Sequence, residues 1–292
     1  MTRANVPHVI SDDSALGGQL VSGSLKFDGT KSQYLTRTPS SASNRRTFTW
    51  SGWVKRSQLD ASNNAHVFFD SRDSTSQSIE CTFGFLTNNH FYLDTTSGGR
   101  IRTNALFRDV SAWQHWVIAF DTTQATASNR VKIYVNGDRI TSFAQENYPS
   151  QNYETSINAT HPHSIGRYLS GGHYDGYMSE INFIDGLQLD PTAFGYTESQ
   201  TGIWRPKKYT GAFGINGFNL PMNGSLHVGK DMSGNGNDFT AFIGGTVPID
   251  RATGAFPIFN TNSGATIPRP GFRPDPFASN LVLAATFSDP ID

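Results

Sequence analysis

The sequence is built from short segments in which apolar and polar side chains alternate, separated by glycine and asparagine. Residues 45–57 (RRTFTWSGWVKRS) and 130–143 (RVKIYVNGDRITSF) show the pattern most clearly. A period of two is typical of a strand with one buried face. Asn136-Gly137 predicts a tight type I′ hairpin turn, because both positions tolerate positive φ. Many such segments in succession predict an all-β, antiparallel two-sheet jelly-roll sandwich.

Helix signals are nearly absent, and the composition changes at both ends of the chain. Asp190-Pro191 can cap and begin a turn or two of helix. Residues 1–22 are polar and predict an N-terminal arm, and residues 23–222 carry the strand pattern. Residues 223–292 are dense in Gly, Pro and Asn, a composition that buries little apolar surface by itself. We therefore expect one sandwich with two extended arms, the C-terminal arm docking its phenylalanines on another surface.

Charge and cysteine content exclude several classes of partner and compartment. The formal net charge is -1, so no basic field attracts phosphate backbones and we expect no nucleic acid partner. Cys81 is the one cysteine, so no intrachain disulfide can form, which fits folding in a reducing cytoplasm. No apolar run reaches the ~18 residues of a membrane span, so we expect no membrane insertion.

Three stretches, taken in order, carry a family resemblance. They are FTWSGWVKRS (47–57 region), WQHWVIAFD with its IYVNGDRI hairpin, and DGYMSEINFI near residue 180. Together they resemble the concanavalin A-like lectin/glucanase superfamily in its laminin G-like form, over roughly residues 23–222. The sequences of the segments FGYTESQTGIWRPKKYTG, GINGFNLP and DMSGNGNDF also resemble lectin-like domains in virion proteins of tailed bacteriophages.

The closer resemblance implies a virion surface protein, made in the host bacterial cytoplasm. It would be fibre-like, touch host-cell glycans, contact other virion subunits and form a homo-oligomer, a trimer by analogy. The alternative is a purely structural capsid decoration or connector protein that clamps neighbouring subunits. A glycoside hydrolase is a weaker alternative.

The hydrolase alternative concerns Glu180, Asn182 and Asp185, whose spacing is close to the E-x-D-x-x-E strand of laminarinase-type enzymes. A retaining glycosidase needs two carboxyl groups on opposite sides of the scissile bond. Asn182 cannot relay a proton as an acid would, and Asp185-Gly186 predicts a turn. Alternation places Ile181 and Phe183 on the core side. We therefore expect no catalytic residues and no enzyme.

Two loops supply the residue types of a lectin site, which are aromatic platforms beside amide and carboxylate groups. The loops span residues 147–156 and 168–177. The expected carbohydrate-binding residues are Tyr148, Asn152, Tyr153, Tyr168, His173, Tyr174 and Asp175. Packing between protomers explains these loops equally well. The four tryptophans at positions 50, 53, 113 and 116 have core periodicity and are expected to fill the sandwich.

A cofactor or metal site is not expected, with Ca²⁺ left as an alternative. Laminin G-like domains often bind Ca²⁺ through Asp and Asn at a sheet rim. Asp70, Asp73, Asp121 and Asp175 precede or occupy turns, and turn chemistry explains them without an ion. His161 and His163 flank a proline that splays their rings, and no third zinc ligand accompanies them.

Overall fold

The computed structural model describes residues 18, 19, 21, 23–59, 65–72, 80–95, 99–168, 171–222, 228–242 and 251–253. The strands are β1 (Gly23–Phe27), β2 (Tyr34–Arg37), β3 (Thr47–Arg56), β4 (Ala65–Arg72), β5 (Glu80–Leu86), β6 (His90–Thr95), β7 (Arg100–Leu106), β8 (Gln114–Asp121), β9 (Val131–Val135), β10 (Asp138–Arg139), β11 (Phe143–Asn147), β12 (His163–Ile165), β13 (Gly176–Asp185), β14 (Gly195–Thr197), β15 (Trp204–Pro206), β16 (Phe218–Leu220), β17 (Thr240–Phe242) and β18 (Arg251–Thr253). The helical pieces are α1 (Ala127–Arg130) and two 3₁₀ turns, Gly29–Lys31 and Pro191–Ala193.

The strands form two large antiparallel sheets packed face to face, which confirms the predicted all-β sandwich. The first sheet has the order β10-β9-β8-β3-β13-β1-β18, with β16 pairing β13 beside β1. The second has the order β11-β7-β6-β5-β4-β12-β2-β17. Most neighbouring strands within each sheet are distant in sequence. This long-range pairing builds two sheets whose hydrophobic faces pack against each other.

The core between the sheets is aromatic. Trp50 and Trp116 are fully buried and pack among phenylalanines from both sheets. Trp53 and Trp113 are also buried, but on the outer face of the first sheet, where they pack with Val21. Strict alternation along β3 places Trp50 inside and Trp53 outside. The expectation that all four tryptophans fill the sandwich is therefore wrong for Trp53 and Trp113.

The predicted hairpin is confirmed and the predicted helix start is corrected. Asn136 (φ 49°) and Gly137 (φ 90°) both have positive φ and join β9 to β10. The turn after Asp190 is one 3₁₀ turn, but the Asp190 side chain does not cap it. Its Oδ1 instead accepts a hydrogen bond from the Tyr134 hydroxyl at 3.1 Å, because that hydroxyl lies beside it on β9.

Both predicted arms contribute to the sandwich where the structure describes them. At the N-terminal end, the Gln19 amide donates to the Pro206 carbonyl, and Val21 is buried. In the predicted C-terminal extension, β17 pairs with β2 and β18 pairs with β1. Phe239 is 1 % exposed and belongs to the main core. Residues 228–242 therefore lie in the sandwich and not in an arm, whereas residues 254–292 and their phenylalanines are outside the described residues.

The outer faces of the two sheets differ. On the first sheet, Val117, Ala119 and Ile184 are covered by apolar side chains from residues 189–213. On the second sheet, charged and aromatic side chains occupy the outward positions of β4 to β7. The second sheet is therefore the one that offers chemistry at its outer face.

Candidate functional site

The strand that resembles a hydrolase strand is β13, and its acids are structural. Ile181 and Phe183 point into the core as predicted. Glu180 has a φ of 48° and sits where the pairing of β13 with β3 slips, so it lies at a bulge. Asp185 accepts hydrogen bonds from Asn158 Nδ2 at 2.9 Å and from the Asn216 amide at 3.0 Å. Both of its oxygens are therefore engaged in holding loops together.

Glu180 is buried without a cationic partner within salt-bridge distance among the described residues. Burial raises the pKa of this carboxyl to about 7, and hydrogen bonds with Gln19 and Asn219 only partly offset it. Beside it, Asn182 Oδ1 accepts from Asn219 Nδ2 at 2.9 Å. Glu180 and Asp185 are 7 % and 8 % exposed, so among the described residues neither carboxyl is open to a sugar chain.

The seven predicted carbohydrate-binding residues do not form one site. Residues 147–156 lie at the start of β3, where Thr155 bonds to the backbone of Arg45. Tyr168 and residues 171–175 lie at its other end, where the Ser57 amide bonds to the Asp175 carbonyl. At ~3.3 Å per residue, the 10 residues of β3 hold the two loops about 30 Å apart.

At the first end, Tyr148, Asn152 and Tyr153 remain at the surface. The Tyr148 hydroxyl donates to Glu146 at 2.8 Å, and Asn152 is an exposed turn residue with a φ of 62°. Tyr153 is half-buried, and its amide and carbonyl hold the turn to Ser150 and Thr122. Nothing in this loop converges on a common point.

At the second end, burial separates the predicted residues. Tyr174 is fully buried and packs edge-on against Phe27 and Phe68, so its prediction as a sugar platform is wrong. Asp175 accepts from the Gly29 amide at 3.2 Å and acts as a loop anchor. The His173 side chain is buried. The Tyr168 ring lies over the outer face of the second sheet, against Arg72.

The predicted turn role of the aspartates is confirmed for Asp121 and is wrong for Asp70. Asp121 accepts from the amide and hydroxyl of Thr123 and from Gln124, which is the chemistry of a turn. Asp70 lies inside β4 and not in a turn, and Asp73 is outside the described residues. Within the part of the chain that the structure describes, no group of three His, Cys, Asp or Glu side chains is placed to hold a metal ion.

Across the outer face of the second sheet, the strand register aligns polar residues from neighbouring strands. Ser164 pairs with Asp70, Asp70 with Thr82, Thr82 with Asp94, and Asp94 with Arg100. Residues directly opposite on paired strands project from the same face. The register therefore collects side chains from five strands into one polar row.

Beside this row, three arginines of the face are paired with carboxylates. Arg102 makes two bonds to Asp94, at 2.7 and 2.8 Å, in the parallel geometry that suits a guanidinium. Arg72 bonds to Glu80 and lies 3.6 Å from Asp70. The third, Arg100, lies 3.6 Å from Asp94.

Asp70 is the most deeply buried acid of this face. It is 3 % exposed, and burial raises its pKa to about 7, a shift that the charge of Arg72 opposes. The guanidinium of Arg72 also lies 4.0 Å from the ring centre of Tyr168, on the side of the face where the Gly172 carbonyl accepts from the Val67 amide of β4. Tyr168, one of the predicted residues, thus contacts an arginine of this face.

At the β17 edge of the same face, three side chains are stacked. The Arg167 guanidinium lies 3.5 Å from the ring centre of Tyr34, and Phe242 stacks on Tyr34 at 4.8 Å with the planes 22° apart. Two groups so close to one ring centre occupy its opposite faces. Phe242 is 47 % exposed, so its outward ring face is open to solvent.

Sequence reasoning missed most of this face. A signal was present, because Asp70 and Arg72, Tyr92 and Asp94, and Arg100 and Arg102 stand two residues apart in their strands. Polar residues at alternate positions mark the outward face of a strand. Which strands are neighbours, and therefore which of these pairs meet, depends on long-range register.

Comparison with known proteins agrees with this architecture. The sequence model of the concanavalin A-like lectin/glucanases superfamily, in its laminin G form, matches residues 28–187, more than half of the chain. The chain belongs to this superfamily. The match confirms the fold that the resemblance implied. No curated protein matches the chain.

Solved structures of the same fold are distant in sequence. A heptameric pentraxin from Limulus polyphemus is 16 % identical, with a TM-score of 0.43 over 60 % of this chain and 80 % of the pentraxin. A Bacteroides ovatus protein described as a candidate carbohydrate-binding protein is 13 % identical, with a TM-score of 0.45 over 80 % of this chain and 63 % of that one. Domains LG4-5 of the mouse laminin α1 chain are 13 % identical, with a TM-score of 0.40 over 59 % of this chain and 44 % of that structure.

Proposed function

We propose that this protein binds carbohydrate on the outer face of the second sheet. The observation that carries the proposal is the stack of Arg167, Tyr34 and Phe242, which ends in an exposed aromatic ring. Aromatic rings pack against the apolar faces of sugars, and a few fixed polar groups then select their hydroxyls. The neighbouring arginines and carboxylates supply such groups in fixed geometry.

A glycan array followed by calorimetry on the full chain tests the proposal. We expect Phe242→Ala to weaken binding of any glycan found by at least about tenfold, since one stacked ring contributes on the order of 1 kcal/mol beyond its buried area. Ile215→Ala is the matched control, because Ile215 is 69 % exposed and lies among residues that cover the other sheet. Binding that survives Phe242→Ala but is lost with Ile215→Ala would place the site elsewhere.

We propose binding without cleavage. The spacing of Glu180 and Asp185 resembles that of catalytic carboxyls, but one is enclosed and the other holds two loops. On the second sheet, Glu80 is tied to Arg72. A reducing-end assay on β-glucans and on any glycan bound should show no turnover. Turnover abolished by Asp70→Asn or by Glu180→Gln would overturn this part of the proposal.

We also propose a place for the protein on the surface of a tailed-phage particle, with other virion subunits and host glycans as partners. Support comes from the resemblance of residues 194–211 and 231–239 to virion proteins. Phage that lacks the protein should adsorb to its host more slowly. Normal adsorption, together with silence on the glycan array, would refute the adhesive role.

A purely structural role is a second candidate, favoured by one observation. Arg72, Arg100 and Arg102 are already paired with acids of the same face, as in a face built for stability. Because residues 228–242 belong to the sandwich, a truncation that tests docking to neighbouring subunits should begin after Thr253. Loss of incorporation into particles by that truncation, with glycan binding absent, would favour the structural role.

A further inference from the structure

Among the arginines on the outer face of the second sheet, Arg167 differs from the rest. Arg72, Arg100 and Arg102 each have a carboxylate oxygen within 4.0 Å. In the described part of the chain Arg167 has no such carboxylate, although its Nε, like that of Arg72, is buried without a hydrogen-bond partner. The charge of Arg167 therefore has no counter-ion among the described residues of this face, and an anionic group bound beside it would gain charge attraction.

The stacking geometry leaves the right atoms free for such a ligand. The Arg167 Cζ lies 3.5 Å from the ring centre of Tyr34, a separation at which an edge-on guanidinium would push a nitrogen into the ring, so its flat face must lie on the ring. The five N–H groups of a guanidinium lie in its plane and point outward from its edge. Stacking therefore occupies the face and leaves the edge, which is the part that binds a carboxylate through two parallel hydrogen bonds.

His173 supplies a second unmet donor close by. It is 7 % exposed, and both of its ring nitrogens are buried with no hydrogen-bond partner among the described residues. The Tyr174 amide donates to the Gly166 carbonyl at 2.9 Å, and both residues pack against Phe27. Arg167 and His173 are the next residues on these two paired segments, so they lie side by side on the face turned away from the core. A neutral imidazole can donate one hydrogen bond.

We propose that Arg167 and His173 form an anion-binding subsite for the carboxylate of an acidic saccharide, such as a hexuronic or sialic acid, beside the Tyr34–Phe242 stack. This rests on the proposed carbohydrate-binding function and names its ligand class. A neutral sugar would leave the Arg167 guanidinium without a counter-ion and the His173 ring without an acceptor. A carboxylate satisfies both and adds charge attraction in a partly buried setting.

Calorimetry of the full chain with charge-matched ligand pairs tests the subsite. The pairs are trigalacturonate with its methyl ester, and sialyllactose with lactose. At least one acidic member should bind about tenfold or more tightly than its neutral partner, or about 1.4 kcal/mol. Arg167→Gln should remove that preference. Arg167→Lys should retain part of it, because the charge stays while the bidentate fork is lost.

Arg108→Gln is the matched control, since Arg108 is exposed in the loop before β8. It should leave the preference unchanged, and the melting temperature of each variant should stay close to that of the parent. Equal binding of acidic and neutral members would overturn the subsite while leaving carbohydrate binding intact. If no saccharide of either kind bound, the proposed function itself would fall, and the subsite with it.

Discussion

Replacing Asp231 by alanine should destabilise the whole sandwich. Its carboxylate is 4 % exposed and fixes the loop that leads into β17. Oδ1 accepts from the amides of Asn219 at 2.9 Å and Ser233 at 2.8 Å. Oδ2 accepts from the Asn237 amide and the Ser233 hydroxyl, both at 2.8 Å. One side chain thus joins this loop to β16 of the first sheet.

The magnitude follows from the donors that alanine leaves unmet. Three backbone N–H groups lose their acceptor, and each buried unmet donor costs roughly 1–3 kcal/mol. Because the loop can relax at its exposed residues, we expect a loss of about 3–5 kcal/mol. That is a large share of the ~5–15 kcal/mol that stabilises an ordinary domain.

Urea unfolding followed by tryptophan fluorescence measures this loss. Asp231→Asn should cost less than alanine, since one oxygen still accepts while the amide group opposes a donor. Asp138→Ala, at an exposed position of β10, should change stability by less than ~0.5 kcal/mol. If Asp231→Ala cost under ~1 kcal/mol with an unchanged single transition, the loop would be an appendage and the reasoning would be refuted.

Two further changes test the packing of the sheets. Burial raises the pKa of Glu180 from its ordinary value of 4.5 to about 7, so the folded state keeps a proton that the unfolded chain releases, and stability falls as pH rises through that window. Measured by urea unfolding, the free energy of unfolding of Glu180→Gln relative to that of wild type should therefore rise by about 3 kcal/mol between about pH 5 and about pH 8. A difference that does not change with pH would contradict the burial argument. Gly84→Ala places a Cβ 2.1 Å from the His66 carbonyl oxygen and should cost ~3 kcal/mol or more in thermal unfolding. Gly171→Ala, with no atom within 4 Å of the added carbon, should leave the melting temperature nearly unchanged.

The fold was predictable because its signals are local. Alternation identifies strands such as β3 and β8 from their own residues, and Asn136-Gly137 fixes a hairpin through the φ values that only a few residues adopt. The face that a given residue occupies was less predictable. Trp53 lies outside the core because its strand keeps strict alternation, whereas Glu180 leaves the alternation at a bulge that no local signal marked.

The boundaries and the candidate site depend on contacts between distant residues. Residues 228–242 have a composition that predicts an arm, yet Phe239 lies in the core. The Asp231 side chain also joins this segment to β16 by accepting a hydrogen bond from the Asn219 amide. Likewise, Arg167 and Phe242 meet at Tyr34 only because β12 and β17 both pair with β2. A pairing across more than a hundred residues leaves no periodic trace in the sequence.

The bulge at Glu180 accounts for why a strand with hydrolase-like spacing serves the architecture. On one side of the bulge β13 pairs with β1, and on the other with β16, while β3 spans both. The extra residue lets one strand bridge two partners that cannot occupy the same position. The positive φ of Glu180 and its buried carboxyl are the cost of this junction. The carbohydrate site that we propose lies on the opposite sheet, where β17 brings Phe242 to the edge of the outer face.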